Sequence, residues 1–139
     1  MRISLLLLTL ALCGCGNNSA WQVETIDNTA AMSCASLVSY ETGMGIDRFR
    51  FEVLHTAKHD FGYLIAEKGF FLDAAITLTI GDEVIRGNGL MHEGKQKISL
   101  PNNLLECVLE ALKQNKSVHI AFDIFEGDII AAGFPKKAL

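Results

Sequence analysis

The chain reads as a mainly β domain of the α+β kind: an antiparallel β-sandwich or open barrel of about seven to nine strands, with one covering helix near residues 103–115. Three observations predict this. Apolar and polar residues alternate in several short stretches, as in Arg48-Phe49-Arg50-Phe51-Glu52-Val53 and Val118-His119-Ile120-Ala121-Phe122-Asp123-Ile124. That period of two is the mark of a strand with one buried face. Clusters of Gly, Asp and Asn punctuate the stretches. A single segment, carrying Leu104, Leu105, Val108, Leu109 and Leu112, has helical spacing instead.

Taken in order, Trp21 to Ile26 and Met32 to Tyr40 are two predicted strands joined by a polar Asp27-Asn28-Thr29 turn. Thr42-Gly43-Met44-Gly45 breaks the chain before the strand at 48–53, whose Phe49, Phe51 and Val53 should point inward. Phe61 to Ala66 and Ala74 to Ile80 follow, and Gly81-Asp82 turns the latter into a short strand, Glu83 to Arg86. Lys95 to Leu100 alternates and stops at Pro101. Asn102 or Asn103 can cap the helix, and Lys113 and Lys116 near its end suit the helix dipole. After Asn115 the alternation from Val118 to Ile124 is a strand, and a Glu126-Gly127-Asp128 turn leads into a last one, Ile129 to Phe134.

Residues 1–14 read as a segment removed from the mature protein. Arg2 supplies a positive start, and Ile3 to Leu12 is nearly unbroken apolar sequence. Its length, about ten residues or about 15 Å as a helix, is half of what a bilayer-spanning helix needs. A short apolar run behind one charge is a secretory signal in form. Its end, Leu12-Cys13-Gly14-Cys15, resembles the lipobox of bacterial lipoproteins. Gly14 is the small residue required before the modified cysteine and Leu12 the aliphatic one further back, whereas Cys13 would have Leu12 in the small position. The resemblance implies that Cys15 is acylated and becomes the first mature residue. An ordinary signal peptide cut near Gly16 or Ala20 is the alternative.

Residues 15–20 are then a short tether and residues 21–139 a single β-rich domain. Five residues separate Cys15 from Trp21, a reach of about 17 Å when extended, so the domain should sit close to its membrane. Gly16 follows the acylated cysteine where an aspartate retains many lipoproteins in the inner membrane, which points to the outer membrane. Loss of residues 1–14 removes one of the 12 basic side chains and none of the 16 acidic ones. A net negative chain whose only adjacent basic pair is Lys136-Lys137 is a poor nucleic-acid binder.

Several short features together suggest a family. Trp21 opens the first strand, and Ser33-Cys34-Ala35-Ser36-Leu37-Val38 places a cysteine in the second. The leucine-rich helix ends in a polar break, Leu112-Lys113-Gln114-Asn115-Lys116, that feeds a strand, and the chain closes on Gly133-Phe134 with Ala138 shortly after. In this the mature chain resembles the invasion-associated locus B family of bacterial envelope and secreted proteins. The resemblance implies a small β-rich domain without established catalysis, engaged in host-cell contact or envelope biology. That family usually carries further cysteines after the opening tryptophan and before the helix. Here those places hold residues such as Glu24 and Gly89-Leu90-Met91, so no disulfide pattern and no binding site carry over.

With Cys15 acylated, Cys34 and Cys107 form an even pair in an oxidising compartment, most naturally a disulfide. It would span 72 intervening residues and contribute about 4 kcal/mol through loop entropy. Two separate buried thiols are the alternative. His55 and His59, beside Asp60, have the i, i+4 spacing of helical metal ligands, but they sit at a hairpin, where solvated loop histidines are expected. His92 or His119 could join them only through the fold. No metal or cofactor is expected.

No catalytic motif emerges. Gly43-Met44-Gly45 lacks the spacing and following helix of a phosphate loop, and no Gly-x-Ser-x-Gly elbow occurs. The chain reads as non-catalytic. The apolar run Phe70-Phe71-Leu72 is either core at a sheet corner or an exposed contact patch. The expected function is therefore that of a lipid-anchored envelope binding protein, held to the membrane by Cys15, with a protein partner in the envelope or on a host cell. An accessory, exclusion or inhibitor lipoprotein of a secretion or conjugation apparatus is the second reading, and a hydrolytic or metal-dependent envelope enzyme the third.

Overall fold

A meander of four long strands begins the domain: β1 (Trp21–Asn28), β2 (Ser33–Thr42), β3 (Phe49–His55) and β4 (Asp60–Ala66). The structure, a computed structural model, describes residues 21–28 and 33–139. β5 (Ala75–Ile80) and β6 (Glu83–Asn88) form a hairpin, followed by β7 (Leu90–Met91), β8 (Lys97–Leu100), the helix α1 (Asn102–Lys113), β9 (Val118–Phe122) and β10 (Phe125–Ile129). The strands make two antiparallel sheets, one ordered β1-β2-β3-β4-β8-β7 and the other β10-β9-β5-β6. The fold is mainly β with one helix, as the alternation indicated.

The core lies between the sheets. Phe49, Phe51 and Val53 are fully buried, as their alternation requires, and Leu64, Ile98, Ile76, Leu78, Val118 and Ile120 join them from both sides. Four phenylalanines form its centre. Phe122 meets Phe49 edge-on at 4.8 Å and Phe71 at 5.2 Å, and stacks on Phe125 at 5.4 Å between ring centroids. Such edge and offset contacts add about 0.5–1.5 kcal/mol per pair beyond the area they bury. At the open side, Trp21 packs on Tyr40 (4.7 Å) and Phe134 (5.0 Å), and its indole N–H donates to the carbonyl of Ile130 at 2.9 Å.

Helix α1 closes the gap between β4 and β6. Leu104, Leu105, Val108, Leu109 and Leu112 are all buried, the arc their spacing predicts, and Ala111 extends it. Glycines accept it on both sides. A Cβ at Gly62 would lie 2.7 Å from Leu105, and one at Gly87 would lie 2.8 Å from Leu104. Lys113 occupies the last turn, and Asn115 takes a left-handed conformation (φ 61°) that ends the helix.

Five local expectations change. Asp27 and Asn28 extend β1, paired with Cys34 and Ser33, so they are not a turn. The helix is not capped by Asn102 or Asn103. Pro101, held extended (φ −65°, ψ 151°), is the capping position, and its carbonyl accepts from the amides of Leu104 and Leu105 at 3.0 Å. The asparagines consequently fall inside the first turn. Glu126-Gly127-Asp128 is strand rather than turn, because the chain reverses two residues earlier at Asp123-Ile124. There Asp123 adopts φ 54°, and Phe122 pairs with Phe125. The predicted strand from Ile129 to Phe134 ends at Ile129. Beyond it the Phe134 amide closes a turn on the Ala131 carbonyl, which seats Phe134 against Trp21. Finally, Leu90–Met91 is an additional strand, bringing the described strands to ten.

Candidate functional site

The strand ends decide which loops meet. β1 starts, β2 ends, β3 starts, β4 ends, β5 starts and the β9–β10 hairpin turns at one end of the sandwich. Three loops gather there: residues 43–48, residues 67–74 and the tip Asp123-Ile124. They are tied together. The Glu67 amide donates to the Arg48 carbonyl at 3.2 Å, and the Leu72 amide donates to the Asp123 carboxylate at 2.7 Å. The Gln96 side chain holds the Gly69 carbonyl at 3.1 Å, and the Phe71 amide donates to the Lys95 carbonyl. Gly43 permits the first loop to fold close. It has φ 87°, and a Cβ there would lie 2.6 Å from the Asp47 carbonyl oxygen.

These loops carry large apolar side chains in water. Met44 is 85 % exposed, Ile46 74 %, Phe70 58 %, Leu72 73 % and Ile124 69 %. Among the described residues only one other large apolar side chain, Leu90, is more than half exposed. Met44 and Ile124 line a groove of about 580 Å³ whose walls also include Thr42, Glu126 and Asp128. Single exposed apolar residues are ordinary, whereas a cluster on one end marks a surface that makes contact.

The run Phe70-Phe71-Leu72 therefore divides. Phe70 and Leu72 belong to the exposed surface, but Phe71 is fully buried against Phe122 and Phe125 and is corrected from contact residue to core. The physical reason is that the Phe71 ring packs inward and anchors the loop, which leaves its two neighbours outside. Met44, Ile46 and Ile124 were not singled out from sequence. For Met44 and Ile46 a signal existed, since both are large apolar residues inside the glycine-rich break Gly43-Met44-Gly45-Ile46.

Other predicted residues are scattered. Cys15 lies outside the described residues. Cys34 sits in β2 opposite Asp27, with its side chain outside the described ones, while Cys107 is a half-buried free thiol on α1. His55 Nδ1 lies 2.5 Å from the Asp60 carboxylate, whereas His59 turns onto the ring of Phe61 at 4.6 Å. His92 bonds to the Ser99 hydroxyl. Among the described residues no three His, Cys, Asp or Glu side chains gather as a metal-binding group. Register does line up Ser36, His55 and Asp60 on neighbouring strands, in the order of a hydrolytic relay. The groove beside α1 is lined by Asp60, Cys107 and Lys113 but not by Ser36 or His55, so the row does not converge on one bowl.

The surroundings of His119 alter its protonation equilibrium. The residue lies on the outer face of the four-stranded sheet, with Nδ1 2.7 Å from Asp128 and Nε2 3.2 Å from Glu126. The hydrogen bond to Asp128 raises its pKa above the ordinary imidazole value, partial burial opposes this, and Glu126 adds to the rise. A raised folded value means that the imidazolium contributes stability below about pH 6.5, its ordinary value, and that this is lost as pH rises through the folded value. The groups are largely exposed, so the contribution is small and screened by salt. An NMR titration should place the His119 midpoint above that of a free imidazole, and Asp128→Asn should bring it back down. An unchanged midpoint in the variant would refute the assignment.

No helix among the described residues is long and apolar enough to cross a membrane. No protein-family model, curated protein or solved structure matches the chain.

Proposed function

We propose that the protein is a lipid-anchored binding protein of the bacterial envelope, attached through acylated Cys15 and acting by surface contact rather than by catalysis. The observation that carries this reading is the exposed apolar end formed by Met44, Ile46, Phe70, Leu72 and Ile124. Large apolar side chains left in water on three mutually bonded loops favour contact with another surface. The chain enters the domain at Trp21 at that same end, six residues after Cys15. The resemblance to the invasion-associated locus B family, which implies a small non-catalytic envelope domain, belongs with this reading. A protein partner in the envelope or on a host cell would meet the domain within a few nanometres of the membrane.

Intact-mass analysis of the protein purified from its membrane should show an acylated cysteine at the new N-terminus. Cys15→Ser should abolish the acylation. The reading fails if the purified chain begins at Gly16 or later, or if it carries no lipid.

A further inference from the structure

The apolar end has an occupant that the chain's own geometry selects. Resting on the lipid-anchored reading above, we propose that Met44, Ile46, Phe70, Leu72 and Ile124 insert into the bilayer surface that holds Cys15. The domain then stands end-on, with its strands rising from the membrane.

Trp21 begins β1 at the apolar end, opposite Tyr40 near the end of β2. Gly16 to Ala20 lie between it and Cys15, six residue steps that span at most about 22 Å. β1 is eight residues long, about 27 Å at the usual rise of a strand. A tether of that length cannot run the height of the sandwich, so the far end, with α1 and the His55–Asp60 hairpin, is kept off the membrane. The apolar end is the one the anchor brings down.

Five of the six large apolar side chains that are more than half exposed among the described residues stand at this end. Only Met44 and Ile124 line the groove, and Ile46, Phe70 and Leu72 lie outside it, a spread over separate loops suited to a broad, yielding surface. A loop tip need enter only the headgroup–acyl boundary, where apolar side chains gain burial without displacing a packed partner. Around them Asp47, Glu67, Asp73 and Asp123, with Glu126 and Asp128 on the groove wall, outnumber Arg48 and Lys68. That excess of acid provides no basic patch for anionic lipid, so the contact rests on apolar insertion, and salt, which screens the repulsion, should not weaken it.

The backbone supports the loops from below. Phe71 and Phe122 are buried under Phe70, Leu72 and Ile124, and the bond from the Leu72 amide to Asp123 fixes two of the tips together. The tips are thus held in place before contact, which lowers the ordering cost of insertion.

The test uses the full chain, processed and purified from the producing bacterium, and reconstituted into phosphatidylethanolamine–phosphatidylglycerol vesicles containing phosphatidylcholine brominated on its acyl chains. Trp21 is the only tryptophan and is buried, so the unsubstituted protein supplies the background. Ile124→Trp places a reporter on the apolar end. Val84→Trp places one at the far end, where β6 begins. The expected result is a blue-shifted emission and at least twofold quenching for Ile124→Trp, not reduced by adding salt, with Val84→Trp unquenched.

If intact mass shows Cys15 acylated and Ile124→Trp is quenched no more than Val84→Trp, the docking is overturned while the anchor stands. If Cys15 is unmodified, anchor and docking fall together. A photoreactive group replacing Phe70 gives a second measurement in cells. Lipid adducts support the docking, and adducts to protein alone overturn it in favour of a protein-binding surface.

Discussion

Replacing Phe122 by alanine is expected to destabilise the domain by about 3–5 kcal/mol, the range for deleting a buried aromatic ring from a packed core. Phe122 is 2 % exposed and touches three other rings, so its loss opens a cavity that stiff neighbours cannot readily fill. A domain of this size holds about 5–15 kcal/mol in all. The variant should therefore unfold at a much lower urea concentration, with the slope of the transition unchanged. Phe122→Leu keeps most of the volume and should cost clearly less. The effect should also be felt at the apolar end. Phe122 precedes Asp123, whose carboxylate holds the Leu72 amide, and Phe71 rests on the same ring. Hydrogen exchange in residues 67–74 should rise more than in β2 or β3. Equal rises in all three regions would show that the loops do not depend on this ring.

Legibility in the sequence followed the period of the signal. Phe49, Phe51 and Val53 alternate with charged residues, and all three are buried. The helical arc from Leu104 to Leu112 is likewise buried as read. Difficulty arose where a turn keeps the period of its strand. Ile124 continues the alternation of Val118, Ile120 and Phe122, so the hairpin at Asp123-Ile124 is hidden, and the polar Glu126-Gly127-Asp128 takes on the look of the turn. Phe70-Phe71-Leu72 has no period at all. Which of the three is buried depends on a sheet packed from elsewhere, and only Phe71 meets it. The apolar end was half visible for the same reason. Its residues come from three loops distant in sequence, and only the strand order brings them together.

Gly89→Ala is expected to destabilise the domain by about 3 kcal/mol, the upper part of the range for overpacking. Gly89 is the point where the chain leaves β6 in one sheet and enters β7 in the other. Its amide donates to the Ala74 carbonyl at 2.8 Å, which fixes the crossing. A Cβ there would lie 2.3 Å from Cγ2 of Ile98 and 2.8 Å from the backbone oxygen of Ser99. Ile98 is fully buried and β-branched, with little rotamer freedom, and the Ser99 oxygen belongs to β8 itself. Neither can yield without moving the strand. Gly62 differs, because a Cβ there would meet only the ends of Leu105 and Leu100, which can rotate away. Gly45 differs again. Its φ of 60° faces open space, so alanine there meets no contact and costs only the left-handed backbone penalty, about 1–2 kcal/mol. Urea midpoints of the three alanine variants should therefore place Gly89 lowest. If Gly45→Ala proves as costly as Gly89→Ala, backbone conformation rather than the crossing of the sheets is what makes Gly89 necessary.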